Sequence, residues 1–332
     1  MVYPLLRAAA WFAFTCVCST GLAAQQGNAI RTAQADNHLD VTVGGKPFTS
    51  YWFAKRDDRI YVRPFFYPVF APGDVAVTSD QYSLKEKEPK TDHPHHQSLW
   101  VAQGDVNGVD HWSLGKDGKG EGSAKQRHIK FESVGDDRFV EELIWDDKEG
   151  KPLLNETRTV LFAVYPDGSR AIDILSAFTP ADAAVTFGDT KEAGLMAVRL
   201  APQISKNPTL TQSTGKGGEG AAGEKQTWGQ PADWCDESGL IDGKPFGVAI
   251  FDSPANPRHP ARWHVRAYGL MSSNIFLLHD FDKKMFPAHS GDFVIEKGKT
   301  AVFHHRAVIH AGMASEANLQ EKFDAFKAAA AQ

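Results

Sequence analysis

Between Ile129 and Phe178 short runs of Thr, Val, Ile, Leu and Phe alternate with turn signals, and few folds accept such a pattern. The runs Ile129–Val134, Phe139–Trp145, Leu153–Val164 and Ala171–Phe178 are divided by Gly135-Asp136-Asp137, Lys148-Glu149-Gly150 and Asp167-Gly168. β-Branched and aromatic residues fit a pleated surface, and Gly and Asp supply tight turns, so successive runs pair as antiparallel strands. Further runs obey the same rule. Leu39–Val43 turns at Gly44-Gly45 into Phe48–Phe53, and Ile60–Arg63, Leu195–Ala201, Phe246–Phe251, Arg262–Tyr268 and Val302–Ile309 follow. The pattern predicts an all-β protein, one large antiparallel β-sandwich domain over residues 38–313. Pro64 and Pro68 confine Phe65–Phe70 to a sheet edge or an extended segment. Residues 25–37 are polar and read as a disordered linker. Residues 213–226, rich in glycine but with no Gly-Lys-Ser/Thr, read as a flexible rim loop rather than a phosphate site. Leu319, Phe323 and Phe326 recur at helical spacing, predicting a C-terminal amphipathic helix over 314–332 packed on the outside.

The first 24 residues stand apart. Arg7, the apolar run Ala8–Val17 and the small residues Thr20–Ala24 read as a secretory signal peptide, implying a periplasmic or secreted protein. The run is shorter than the ~20 residues a membrane helix needs, and no later stretch is apolar enough, so no membrane is expected as partner after cleavage. Removing the signal leaves Cys235 as the single cysteine, which excludes an intramolecular disulfide. A net charge of -5 argues against nucleic acid as partner.

Chemistry concentrates between Asp92 and Trp112. Three of the 13 histidines, His93, His95 and His96, fall within Asp92-His93-Pro94-His95-His96. A packed core has no use for so many imidazoles, whereas a neutral ring in a cleft works as acid or base near pH 7. In an extended segment His93 and His95 share one face and His96 takes the other. His93 and His95 then suit one divalent metal, with Asp92 or a distant carboxylate completing the set. Asp105, Asn107 and Asp110 lie between glycines as short acceptors for sugar hydroxyls, although the calcium loop of an EF-hand is not met. Glu192, in Gly188-Asp189-Thr190-Lys191-Glu192, is a partner carboxylate. On Arg262–Tyr268, period two gives His264, Arg266 and Tyr268 one face, costly to bury idle and therefore a cleft wall.

Taken in order, Arg63–Val69, Asp92–His96, Gly104–Asp110, Gly188–Glu192, Trp228-Gly229, Asn256-Pro257-Arg258 and Trp263–Arg266 resemble the bacterial PmoA-like family. That family is often labelled methane oxygenase and is otherwise a domain of unknown function; the match runs from Leu39 to Gly312. The resemblance implies a soluble β-sandwich akin to galactose mutarotase-like supersandwiches and a carbohydrate ligand. Gln97, Gln103 and Ala267 stand where the family pattern has Arg, His and Asp. The expected function is carbohydrate-active: an epimerase, or a lyase or hydrolase on an oxidised glycoside. His93, His95, His96, Glu192 and His264 are the expected catalytic groups. Arg63, Trp100, Asp105, Asn107, Asp110, Trp228, Trp263, Arg266 and Tyr268 are the expected contacts to a small-molecule or oligosaccharide ligand. The cofactor is left open, with one divalent metal on His93 and His95 as the candidate. Non-catalytic sugar binding is the alternative, and a metal-dependent oxygenase the weaker one.

Overall fold

The computed structural model describes residues 28–56, 61–81, 93–114 and 123–330; the expected signal segment and Asp92 lie outside them. Strands β1 (Ile30–Gln34), β2 (His38–Val43), β3 (Lys46–Trp52), β4 (Phe65–Ala71) and β5 (Val75–Ala76) lead into β6 (Leu99–Gln103). The expected meander follows as β7 (Gln126–Val134), β8 (Arg138–Asp146), β9 (Pro152–Val164) and β10 (Arg170–Pro180). Next come β11 (Val185–Phe187), β12 (Ala193–Arg199), β13 (Thr209–Gln212), β14 (Gly217–Glu219), helix α1 (Gly220–Thr227), β15 (Trp234–Ile241) and β16 (Lys244–Asp252). The chain ends with β17 (Arg262–Arg266), β18 (Leu270–Asn274), β19 (Phe293–Ile295), β20 (Ala301–Ala311) and helix α2 (Leu319–Ala330). Two nine-stranded antiparallel sheets result. One runs β1-β2-β3-β4-β6-β12-β18-β17 with β5 beside β4, the other β14-β13-β15-β16-β20-β10-β9-β8-β7. β11 and β19 make a separate ribbon.

Period two makes the sandwich. On β9, Leu154, Glu156, Arg158, Val160 and Phe162 are buried while the residues between them are exposed or half-exposed. The facing sheet meets them with aromatic rings: Tyr51 lies 4.8 Å from Phe139, and Phe48 lies 6.0 Å from Phe162. Burying each such side chain contributes about 1.5–3 kcal/mol, so this inter-sheet layer dominates the stability. On the outside of the second sheet, Leu319, Phe323 and Phe326 of α2 pack on Trp234, Phe251 and Val308. The outer face of the first sheet carries Phe65, Trp100, Trp112 and Leu270. None of the described helices is long and apolar enough to cross a membrane.

Several expectations change. Residues 30–34 of the expected linker form β1, paired from Ile30↔Val43 to Gln34↔Leu39; an outermost strand buries little, so its sequence looks like a linker's. β4 is interior rather than an edge, and its pairs with β3 shift between Thr49 and Tyr51, which leaves Pro68 out of the ladder. Tyr61–Arg63 form no strand. The supposed rim loop holds β14 and α1, which pack so closely that a Cβ on Gly223 would sit 2.0 Å from the carbonyl oxygen of Gly218. α2 begins at Leu319 rather than 314, because Asn318 takes a left-handed φ of 49° that a helix cannot pass through.

Candidate active site

The histidine stretch is a tight turn. His96 N–H donates to the His93 carbonyl at 3.0 Å, with Pro94 in the second turn position that its fixed φ favours. That closure overturns the extended arrangement: His93 and His96 stack with centroids 4.7 Å apart and planes 7° off parallel. Arg63 holds the turn from behind. Its Nη2 donates to the carbonyls of His95 (2.7 Å) and Trp112 (2.8 Å), and its Nη1 to that of His111 (2.6 Å). Arg63 is thus a buried clamp between two loops, not a grip on hydroxyls.

Below the turn lies a closed aromatic layer. His96 stacks over Trp100 at 5.5 Å, and Trp100 lies 5.3 Å from Trp112. Trp100 is 1% exposed, so it supports the histidines and offers no face to a sugar. Trp263 is also removed from the ligand-binding set. It faces the inter-sheet core, fully buried, with Nε1–H on the Ala232 carbonyl at 2.9 Å.

The second wall joins β6 to Glu192. Gly104 N–H donates to the Glu192 carbonyl at 2.7 Å, an approach only glycine permits, since a Cβ there would lie 2.6 Å from that oxygen. Asp110 lines the cavity and accepts from the backbone N–H of Trp112 (2.7 Å) and Ser113 (3.0 Å) and from the Ser113 hydroxyl. Asp105 and Asn107 are turn residues instead. Asp105 packs on Gly188 and accepts from Gly108 N–H at 2.7 Å; Asn107 is exposed and accepts from Thr186 N–H at 2.8 Å.

The turn after β17 supplies the third wall through Tyr268, and β17 itself backs it, so His264, expected among the catalytic groups, lies behind the cavity lining. His264 is buried and donates from Nδ1 to the Lys191 carbonyl at 2.6 Å, with Trp228 edge-on at 4.9 Å. Arg266 lies over Trp228 at 3.7 Å and donates to Glu224 Oε1 at 3.0 Å, which commits both Arg266 and Trp228 to supporting the wall. Tyr268 reaches the cavity and stacks on His93 at 5.0 Å. Together the walls enclose about 390 Å³, lined by His93, His95, His96, Asp110, Glu192 and Tyr268, with Gly104, Trp112, Ser113 and Thr190 between them.

Residues 38–324 match the model of a family of unknown function, DUF6807. The chain belongs to that family. No curated protein matches the sequence. Solved structures similar to this DUF6807 chain include a heparinase III gene product, at 10% identity and a TM-score of 0.33, with 85% of this chain and 36% of that one covered. They also include a homologue of GalM/aldose epimerase from C. elegans, at 9% identity and a TM-score of 0.32, with 86% and 98% covered. The chain spans about a third of the heparinase's length.

Electrostatically, burial disfavours the charged form of His95 and His96 in the DUF6807 cavity and of His264 behind it. Burial, then the Arg63 guanidinium and His93, pull His95 down to about 3. Burial, then Arg266, pulls His264 to about 3, and burial with His95 and Arg199 holds His96 well below its ordinary value. Glu192 moves the other way: burial pushes its carboxyl up, against the pull of Lys191 and His93. Among the described residues no three His, Cys, Asp or Glu side chains gather to hold a metal, and Asp92, the suggested third ligand, lies outside them. Sequence reasoning passed over Ser113, Thr190 and Arg199. For Arg199 a signal existed, a lone cation inside the apolar run Leu195–Ala201. Gln103 ties loops together, donating to the Gly188 carbonyl (3.1 Å) and accepting from Gly104 N–H (3.0 Å).

Proposed function

We propose that the histidine-walled cavity binds a sugar and transforms it by acid–base chemistry, with Glu192 as the base and His95 and Tyr268 orienting the substrate. The observation that carries this reading is a carboxyl whose pKa burial raises, set in one pocket with His95 and His96, whose charged forms burial disfavours, an arrangement suited to proton transfer near neutral pH. A volume of about 390 Å³ lies in the lower part of the range for small-molecule sites and suits a monosaccharide or the end of an oligosaccharide. The PmoA-like resemblance adds the carbohydrate class, and an epimerase or a lyase or hydrolase on an oxidised glycoside remains the finer reading. The N-terminal segment supports a periplasmic or secreted setting. The test is calorimetry and turnover with a panel of monosaccharides, disaccharides and their keto derivatives. Wild-type protein is expected to bind and convert a member of the panel, and Glu192→Gln to keep binding but lose turnover. Equal turnover by Glu192→Gln would overturn the assignment of the base.

A second reading, sugar binding without turnover, is favoured by His95 itself, whose ring is too weak a base to take a proton at neutral pH. Binding with no conversion of any panel member selects it. The oxygenase reading requires copper or iron near one per chain in purified protein.

A further inference from the structure

His96 is an acceptor at Nδ1. Arg199 Nη1 stands 3.0 Å from that nitrogen, and a guanidinium can only donate. The ring is therefore neutral and carries its hydrogen on Nε2. Arg199 is well fixed for this task. Its guanidinium lies 4.7 Å from the Tyr268 ring, its N–H donates to the Ser98 carbonyl at 2.7 Å, and its carbonyl accepts from Ser79 N–H at 2.9 Å. Burial, then His95, Arg199 from β12, His93 and His264, work against a second proton on His96, with Asp110 and Glu192 the carboxyl groups that line the same cavity. Beside it, Trp112 lines the same cavity, with ring centroids 6.1 Å apart. The Trp112 Nε1–H is buried and has no hydrogen-bond partner among the described residues. A buried donor left unpaired is destabilising, and a ligand oxygen relieves it.

We propose that His96 Nε2–H and Trp112 Nε1–H form a donor pair for one oxygen of the bound sugar, with Arg199 as the positioning residue that fixes the His96 tautomer. The inference rests on the sugar-binding reading and narrows it. His96 acts as a donor and not as a base, so the oxygen it meets is one on which negative charge grows, a carbonyl oxygen or a departing glycosidic oxygen.

Long-range proton–nitrogen spectra of protein carrying ¹⁵N-labelled His and Trp test this at pH 7. His96 is expected to show a protonated Nε2 and a bare Nδ1, and the Trp112 indole N–H to move downfield when a binding member of the sugar panel is added. Arg199→Met is expected to release the tautomer and Arg199→Lys to restore it. Trp112→Phe, which keeps the ring and removes the N–H, is expected to weaken sugar binding about tenfold. A proton on His96 Nδ1 in the wild type overturns the role of Arg199, whether or not Arg199→Met folds. Undiminished binding by Trp112→Phe, with an unmoved indole signal in the wild type, overturns the donor pair while leaving the sugar reading intact. A panel in which nothing binds overturns both, and the tautomer result then stands alone.

Discussion

Arg158 and Glu156 form a two-pronged ion pair in the middle of the sandwich, with Nε to Oε1 at 2.8 Å and Nη2 to Oε2 at 2.9 Å. Both side chains are on the inward face of β9. Glu156 also accepts from Trp145 Nε1 (2.7 Å) and the Ser176 hydroxyl (2.6 Å). Arg158 Nη1 donates to the Tyr51 hydroxyl at 3.0 Å, and that hydroxyl donates to Glu141. Arg158 thus neutralises carboxylates that have no water to turn to. Arg158→Met is expected to cost roughly 3–5 kcal/mol, because it strands buried charge. Combining it with Glu156→Leu should recover a large part, since removing both partners of a buried pair is far cheaper than removing one. Urea unfolding of the three variants checks this, and a single-variant loss below about 1 kcal/mol would contradict it.

A second pair, buried Asp252 with half-buried His259, responds to pH. Asp252 accepts from His259 Nδ1 at 2.7 Å and from Asn256 at 2.7 Å. Burial opposes its charge, yet the hydrogen bonds from His259 and His305 and the attraction of His305 outweigh it and bring Asp252 down to about 2. For His259, burial is likewise outweighed by Asp252 and Asp233, and its pKa is raised. Asp252 therefore contributes stability that is present above its ordinary 3.8 and is lost as pH falls toward 2. His259 contributes stability that is full below its ordinary 6.5 and is lost as pH rises through the raised value. The contribution of this pair is expected to be fullest between about pH 4 and 6.5; His259→Gln should flatten the alkaline side and, by removing a hydrogen bond that holds Asp252 down, also shrink the contribution of Asp252 on the acid side. Unfolding midpoints from pH 3 to 9 provide the measurement; an unchanged alkaline slope in His259→Gln would refute the assignment.

The strands were legible because alternation of Val, Ile, Thr and Phe survives in the sequence wherever a strand has one wet face. The inward chemistry was not. Glu156 and Arg158 occupy positions that alternation assigns to the core, but charged residues there read as solvent-facing until Tyr51 and Glu141 come alongside from distant strands. At the cavity, the histidine turn, Glu192 and Tyr268 were legible as polar residues in clusters too dense for a core. Trp100 and Trp263 misled, since an indole on a strand looks alike whether it faces a ligand or the inside. Pro94 held the clue to the turn, and the stacking of His93 on His96 follows from it.

Gly104 tests how tightly the walls must meet. An alanine Cβ there would lie 2.6 Å from the Glu192 carbonyl oxygen and 3.0 Å from the Glu192 Cβ, so the Glu192 loop must move. Gly104→Ala is expected to cost about 1–3 kcal/mol of stability and to lower turnover by up to ~100-fold, the usual result of displacing a catalytic group by about 1 Å. Gly108 is the control. Its φ is 80° and nothing lies within 4 Å of its Cβ position, so Gly108→Ala should cost roughly 1–2 kcal/mol in backbone strain and leave turnover unchanged. Equal turnover in both variants would show that the contact between Gly104 and Glu192 does not position the base.

The pH dependence of turnover separates the carboxylate from the imidazoles. His95 and His264 are held down to about 3, so neither ring supplies a limb near its ordinary 6.5. Glu192, pushed up from 4.5 by burial, is the proposed base. As a base it must be ionised, so kcat/KM is expected to climb with pH through that raised value and then stay level to pH 8. Glu192→Gln should abolish the limb together with most of the rate. A limb near 6.5 that persists in Glu192→Gln would give the proton transfer to an imidazole instead and remove Glu192 from the reaction.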